Sequence, residues 1–157
     1  VEQVGAPPFD PKAKREYYTL SPLNSREIIY VPVDTQVFMR PILSRAAAEE
    51  LISRLPEIQR AHVEGRDYRA LAQQYREILE THRCEDLVQL IKLVYAKNQH
   101  KSRSGKKPSK VDQDYQRRSE SLLHGELAAA LEIPVESVPD YIHQRLQLKL
   151  EAEKNAG

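Results

Sequence analysis

Two hydrophobic periods divide the chain. From Arg15 to Val33, "REYYTLSPLNSREIIYVPV" is dense in Tyr, Ile, Val and Thr and is interrupted by "SPLNS". β-branched and aromatic residues suit a pleated surface, so the stretch predicts two strands joined by a short turn. On a strand, Tyr18 and Leu20 share one face. Pro32 has no amide hydrogen and belongs at a sheet edge or at the end of the second strand. Upstream, "GAPPFDP" reads as a loop, because Pro7, Pro8 and Pro11 cannot serve a central ladder.

After Ser44 the period becomes helical. Ser44 is the expected N-cap of "RAAAEELISRL", where Leu51, Ile52 and Leu55 form one apolar stripe before Pro56. A turn near Gly65 precedes a second helix from Asp67 to about Glu80, with Tyr68, Leu71, Ala72, Tyr75, Ile78 and Leu79 at helical spacing. Leu87, Leu90, Ile91, Val94 and Tyr95 repeat the pattern in a third. Tyr115, Ser119, Leu122, Leu123, Leu127 and Leu131 mark a fourth, ended by "EIP", and Pro139 with Asp140 opens a last one carrying Ile142, Leu146 and Leu150. The expected class is α+β: a small β module over residues 1–42, then a helical domain over 43–157. About five helices with short connections favour an antiparallel bundle.

Composition adds little beyond solubility. Of 157 residues, 30% are charged and 40% belong to the hydrophobic set, the balance of a globular chain that can bury a core. No apolar run reaches membrane-spanning length and "VEQVGAPPFD" lacks the features of a signal peptide, so a cytoplasmic location is expected. The chain starts without a Met, as a fragment does. Cys84 is the only cysteine, which leaves no internal disulfide.

Catalysis finds no foothold in these residues. His62, His82, His100, His124 and His143 show no paired metal spacing, and "HRC" at 82–84 has no second Cys. The five glycines build no phosphate-binding loop. Glu49 with Glu50, and Glu85 with Asp86, are neighbours on helices, point in different directions, and read as solvated faces. No enzyme activity, metal site or cofactor is expected.

The charge distribution is more informative. "KNQHKSRSGKKPSK", from Lys97 to Lys110, holds six Lys or Arg, one His and no acid, in a chain of net charge +1. It reads either as a solvated connector or as a grip on phosphates, with Lys97 closing one helix, Lys110 preceding another, and Arg117 and Arg118 continuing the charge. Lys97, Lys101, Arg103, Lys106, Lys107 and Lys110 are the candidate contacts. Such contacts position a nucleic acid without reading its sequence.

Three segments, "REYYTLSPLNSREIIYVPVDTQVFMRPILS", "RCEDLVQLIKLVYAK" and "LLHGELAAAL", in this order and spacing resemble the CarD family of bacterial transcription regulators, in its Firmicutes form. The resemblance implies a Tudor-like β domain that binds the β subunit of RNA polymerase. It also implies a helical domain that contacts promoter DNA near the upstream edge of the transcription bubble and prolongs the open complex. On "REIIYVPV" it makes Arg26, Ile28, Tyr30 and Val31 the polymerase face, with Tyr30 where other members carry arginine. On "LVQLIKLVYAK" it makes Lys97 a basic DNA contact.

Many members wedge a tryptophan against the opened base pair. This chain has no Trp. In "EGRDYRAL", Tyr68 lies at or within one residue of that position, flanked by Arg66 and Arg69 as further DNA candidates, although its helical spacing with Leu71 and Tyr75 makes core packing the plainer reading. Members also begin with a strand and a glycine turn ahead of the point matching Val1, so the β module is expected to be incomplete. The competing expectation is a helical protein-interaction adaptor that binds no nucleic acid. Neither reading calls for a membrane or a small-molecule substrate.

Overall fold

The computed structural model describes residues 1–23 and 25–157. It shows two units, residues 1–41 and 42–157. In the first, β1 (Gln3–Gly5), β2 (Tyr17–Leu20) and β3 (Ile29–Pro32) form an antiparallel sheet in the order β1-β2-β3. Tyr18 lies opposite Val4 on one side and Val31 on the other. The β2–β3 pair is the one that the sequence predicts, with Pro32 as the last residue of an edge strand, where a missing N–H is tolerated. Strand β1 is unanticipated: three residues before a proline-rich loop carry too little pattern to read. Phe9 packs edge-on to Tyr17 and Tyr30, at 6.0 and 5.4 Å between ring centres. Among the described residues of this unit only Pro7 is buried. Asn24, within the expected turn, lies outside the described residues.

The second unit holds five helices: α1 (Arg45–Arg54), α2 (Tyr68–Glu80), α3 (Cys84–Arg103), α4 (Lys110–Leu131) and α5 (Val138–Ala156), with a short 3-10 turn at Val135–Ser137. Side-chain caps start three of them. Ser44 accepts the Ala47 amide, Asp67 that of Ala70 and Ser109 that of Asp112, each satisfying a donor that has no partner inside its helix. Helix α4 packs against each of the other four. One apolar cluster gathers Ile52, Leu87, Leu127, Leu131 and Val138, and a second gathers Tyr75, Leu90, Val94, Val111 and Tyr115. Among the described residues, no helix is long and apolar enough to cross a membrane.

Three expectations change. Helix α3 does not close at Lys97 but runs to Arg103, because nothing in "NQHKSR" breaks a helix before Gly105. There the chain turns left-handed at φ 67°, and the amides of Gly105 and Lys106 return to the carbonyls of Ser102 and Lys101. Tyr68 is 59% exposed and joins neither cluster. As the first residue of α2 it points back beyond the helix start, away from the packed turns. Tyr95, Leu122 and Leu150 fit the apolar period yet are exposed. For Leu150 the cause is length: α5 has 19 residues and α1 only 10. Among the described residues, Lys149, on the Ser53 carbonyl and Glu57, is the last of α5 tied to that side.

The acidic pairs also do more than face water. Glu49 accepts from the Tyr141 hydroxyl and from Arg145, joining α1 to α5, and Glu85 pairs with Arg54 at 3.3 Å. One carboxylate of each pair, Glu49 and Glu85, thus finds a cation or hydroxyl on a neighbouring helix.

Candidate nucleic-acid interface

The extension of α3 carries Lys97 and Lys101 to the first turn of α4, where Asp112 is fully buried. Lys97 Nζ donates to Asp112 Oδ1 and to the Tyr75 hydroxyl, each at 2.7 Å. The Tyr75 hydroxyl donates to the same carboxylate oxygen at 2.7 Å, and Lys101 reaches Oδ2 at 3.3 Å. Burial alone pushes the Asp112 carboxyl up, but the hydrogen bonds from Lys97, Tyr75 and Ser109 outweigh it and hold the group below the usual carboxylate range. Burial, then the adjacent carboxylate, raises the Tyr75 hydroxyl far above its ordinary value. Its ring lies 5.4 Å from that of Tyr115. The network therefore stays charged, and it locks the ends of α3 and α4 to α2.

Above it lies a cleft of about 730 Å³ in which Arg66, Tyr68, Lys97, Lys101 and Lys106 come together from the segment before α2, the start of α2, α3 and the segment joining α3 to α4. Gly65, at φ 82°, makes the turn that sets Arg66 and Tyr68 on its wall. Arg69, Arg103, Lys107 and Lys110 do not line it, and all four are exposed. Arg60 and His100 line the cleft without having been singled out. Arg60 is a lone charge in an irregular segment that a backbone hydrogen bond, from the Ala61 amide to the Gln89 carbonyl, holds against α3. No local pattern announces that. His100 stood inside the basic stretch and was set aside with the scattered histidines.

In the first unit, Arg26 and Ile28 precede β3 and are exposed, whereas Tyr30 and Val31 lie on it and are half-buried. Successive residues of a strand face opposite ways, so Tyr30, against Phe9, and Val31 do not share a face. Among the described residues, no group of three or more His, Cys, Asp or Glu could hold a metal ion. A comparison with protein-family models and with curated proteins finds no match to this chain.

Proposed function

We propose that the chain is a non-enzymatic modulator of transcription initiation that acts in the cytoplasm. Its first unit binds the RNA polymerase β subunit, and its helical unit lies along promoter DNA. The observation that carries the reading is the exposed Tyr68 ring beside a group of cations, where helical spacing alone would have buried it. An exposed aromatic next to phosphate-binding side chains suits a wedge at a distorted base step. The resemblance of the sequence segments to the CarD family supports the same assignment, and so does the edge strand β3, whose exposed Ile29 and neighbouring Ile28 suit strand addition by a partner.

The cations divide into two kinds. Lys97 and Lys101 are already paired with Asp112, and their charge is partly spent inside the protein. Arg66, Arg103, Lys106, Lys107 and Lys110 are exposed and carry the phosphate contacts. The test is open-complex lifetime with polymerase at several salt concentrations. Replacing Lys106 and Lys107 by Ala flattens the log–log salt dependence by about two units, alike on unrelated promoters. Tyr68→Ala shortens the lifetime with the salt slope unchanged. Ile28→Glu or Tyr30→Asp abolishes recruitment by polymerase. An unchanged slope in the double lysine variant, with polymerase still bound, would leave an adaptor that does not touch DNA.

A further inference from the structure

A duplex presents a convex backbone, and the cleft beside Tyr68 is concave. At about 730 Å³ it falls in the range of small-molecule sites. Its wall carries five Lys or Arg side chains, Arg60, Arg66, Lys97, Lys101 and Lys106, against one carboxylate, Asp112. That carboxylate is already engaged by Lys97, Lys101 and Tyr75. Among the described residues, Arg60, Arg66 and Lys106 have no carboxylate partner, so the cleft holds an unbalanced positive charge of a size that a compact polyanion would neutralise. At the rim stands the Tyr68 ring, 59% exposed, with Leu71, Ala96 and Val111 supplying apolar wall.

We propose that this cleft binds a nucleoside polyphosphate, with the phosphates on Arg60, Arg66 and Lys106 and the base stacked on Tyr68. Each half of the ligand answers a separate feature. A simple anion leaves the ring unused, and an acidic peptide spreads its carboxylates along a chain instead of concentrating charge in one concavity. A base face meets an aromatic plate whatever its sequence identity, so the class is set by the phosphates and the presence of a base. The inference does not need the DNA reading. Where both hold, Arg66, Tyr68 and Lys106 serve both ligands, and occupancy of the cleft competes with DNA.

Calorimetry on the full chain with GTP, ATP, inorganic tripolyphosphate and guanosine tests it. A nucleoside triphosphate binds at one site, about tenfold tighter than tripolyphosphate, and guanosine alone binds weakest. Tyr68→Ala removes the advantage of the base and leaves tripolyphosphate unchanged. The double change Arg66→Ala and Lys106→Ala weakens both, whereas Lys154→Ala, far from the cleft lining, weakens neither. All these side chains are exposed, so each variant folds, with thermal melting as the control. No saturable binding at millimolar nucleotide overturns the proposal, as does equal affinity for nucleotide and tripolyphosphate that Tyr68→Ala leaves untouched. Duplex binding, measured in parallel by fluorescence anisotropy, separates the two readings. Nucleotide without duplex binding keeps this inference and removes the DNA contact, and duplex without nucleotide binding does the reverse.

Discussion

The two units solve the problem of apolar surface in opposite ways. The helical unit buries it: Ile52, Leu90, Val94, Leu127, Leu131 and Val138 are essentially inaccessible. The sheet unit leaves Val4, Phe9, Leu23, Ile28 and Val37 half or more exposed, and Pro7 is its one buried residue among those described. Three short strands with rings clustered over them have ordered backbone but little hydrophobic driving force, since that force follows the area removed from water. The lesson is that one unit is stable by its own packing, while the other displays apolar side chains that a partner can cover.

The largest expected effect separates the units directly. Leu127→Ala empties a fully buried position and costs the helical unit about 3 kcal/mol or more in denaturant unfolding. Ile28→Ala, at 59% exposed, changes stability by no more than about 0.5 kcal/mol. Comparable losses for the two would show that the sheet unit depends on packing as the helices do, and the contrast would fail.

Asp112 comes next. Asp112→Ala leaves Lys97, Lys101 and the Tyr75 hydroxyl without their shared acceptor. Removing one partner of a buried pair costs about 3–5 kcal/mol, and the partial exposure of both lysines brings the expectation to about 2–3 kcal/mol. Asp112→Asn keeps an acceptor for Tyr75 and loses less. The measurement is the unfolding midpoint with the Tyr75→Phe background as the second arm. Additive losses there would mean that the carboxylate and the hydroxyl do not act as one network.

Asp112 also marks the limit of what sequence could reveal. The helix starts at Ser44 and Asp67, and most apolar positions from Leu51 to Leu131, are legible because caps and the 3.6 period are local signals. Strand β1 is not legible, being three residues whose partner is fixed from 14 or so positions away. Nor is the burial of Asp112, an acid in a basic neighbourhood that reads as a surface residue until α2 and α3 close over it. The same closure reassigns Lys97 and Lys101 from free cations to partners of a carboxylate, and brings Arg60 from a separate segment to the same cleft. Tyr68 fails in the other direction. Its period matches the core stripe, but only the helix end decides where the ring points.

Acid should act on the helical unit in two steps. Burial holds His124 below its ordinary value of 6.5, with the charge of Glu120 opposing. The unfolded chain therefore takes up the proton first, and stability falls as pH drops below about 6.5. The effect is small, because water still reaches the ring. Asp112, also held below its ordinary 3.8, gives a later limb: its contribution is complete above that value and is lost as pH falls through the lower folded one. Melting temperature against pH, with His124→Gln as the comparison, resolves the first limb. If that variant keeps the fall between pH 6.5 and 5, another group is responsible.

The smallest expected effect makes the sharpest comparison, because two ion pairs of nearly equal length stand in the two units. Arg15 meets Asp34 at 2.6 Å in the sheet unit, and Lys97 meets Asp112 at 2.7 Å in the helical one. Hydrogen bonding to Asp34 raises Arg15, and hydrogen bonding to Arg15 lowers Asp34, so the geometry is good in both places. Only the surroundings differ: the side chains are 55% and 65% exposed in the first pair, and 27% and 0% in the second. Water and salt screen the first pair at ordinary ionic strength, where the screening length is about 10 Å, whereas the second sits where screening is weak. Asp34→Asn should thus leave the melting transition where it was, at low and at high salt, while Asp112→Asn lowers it at both. A clear loss from Asp34→Asn that vanishes in high salt would mean that the sheet unit, with almost nothing buried, is held by its surface charge.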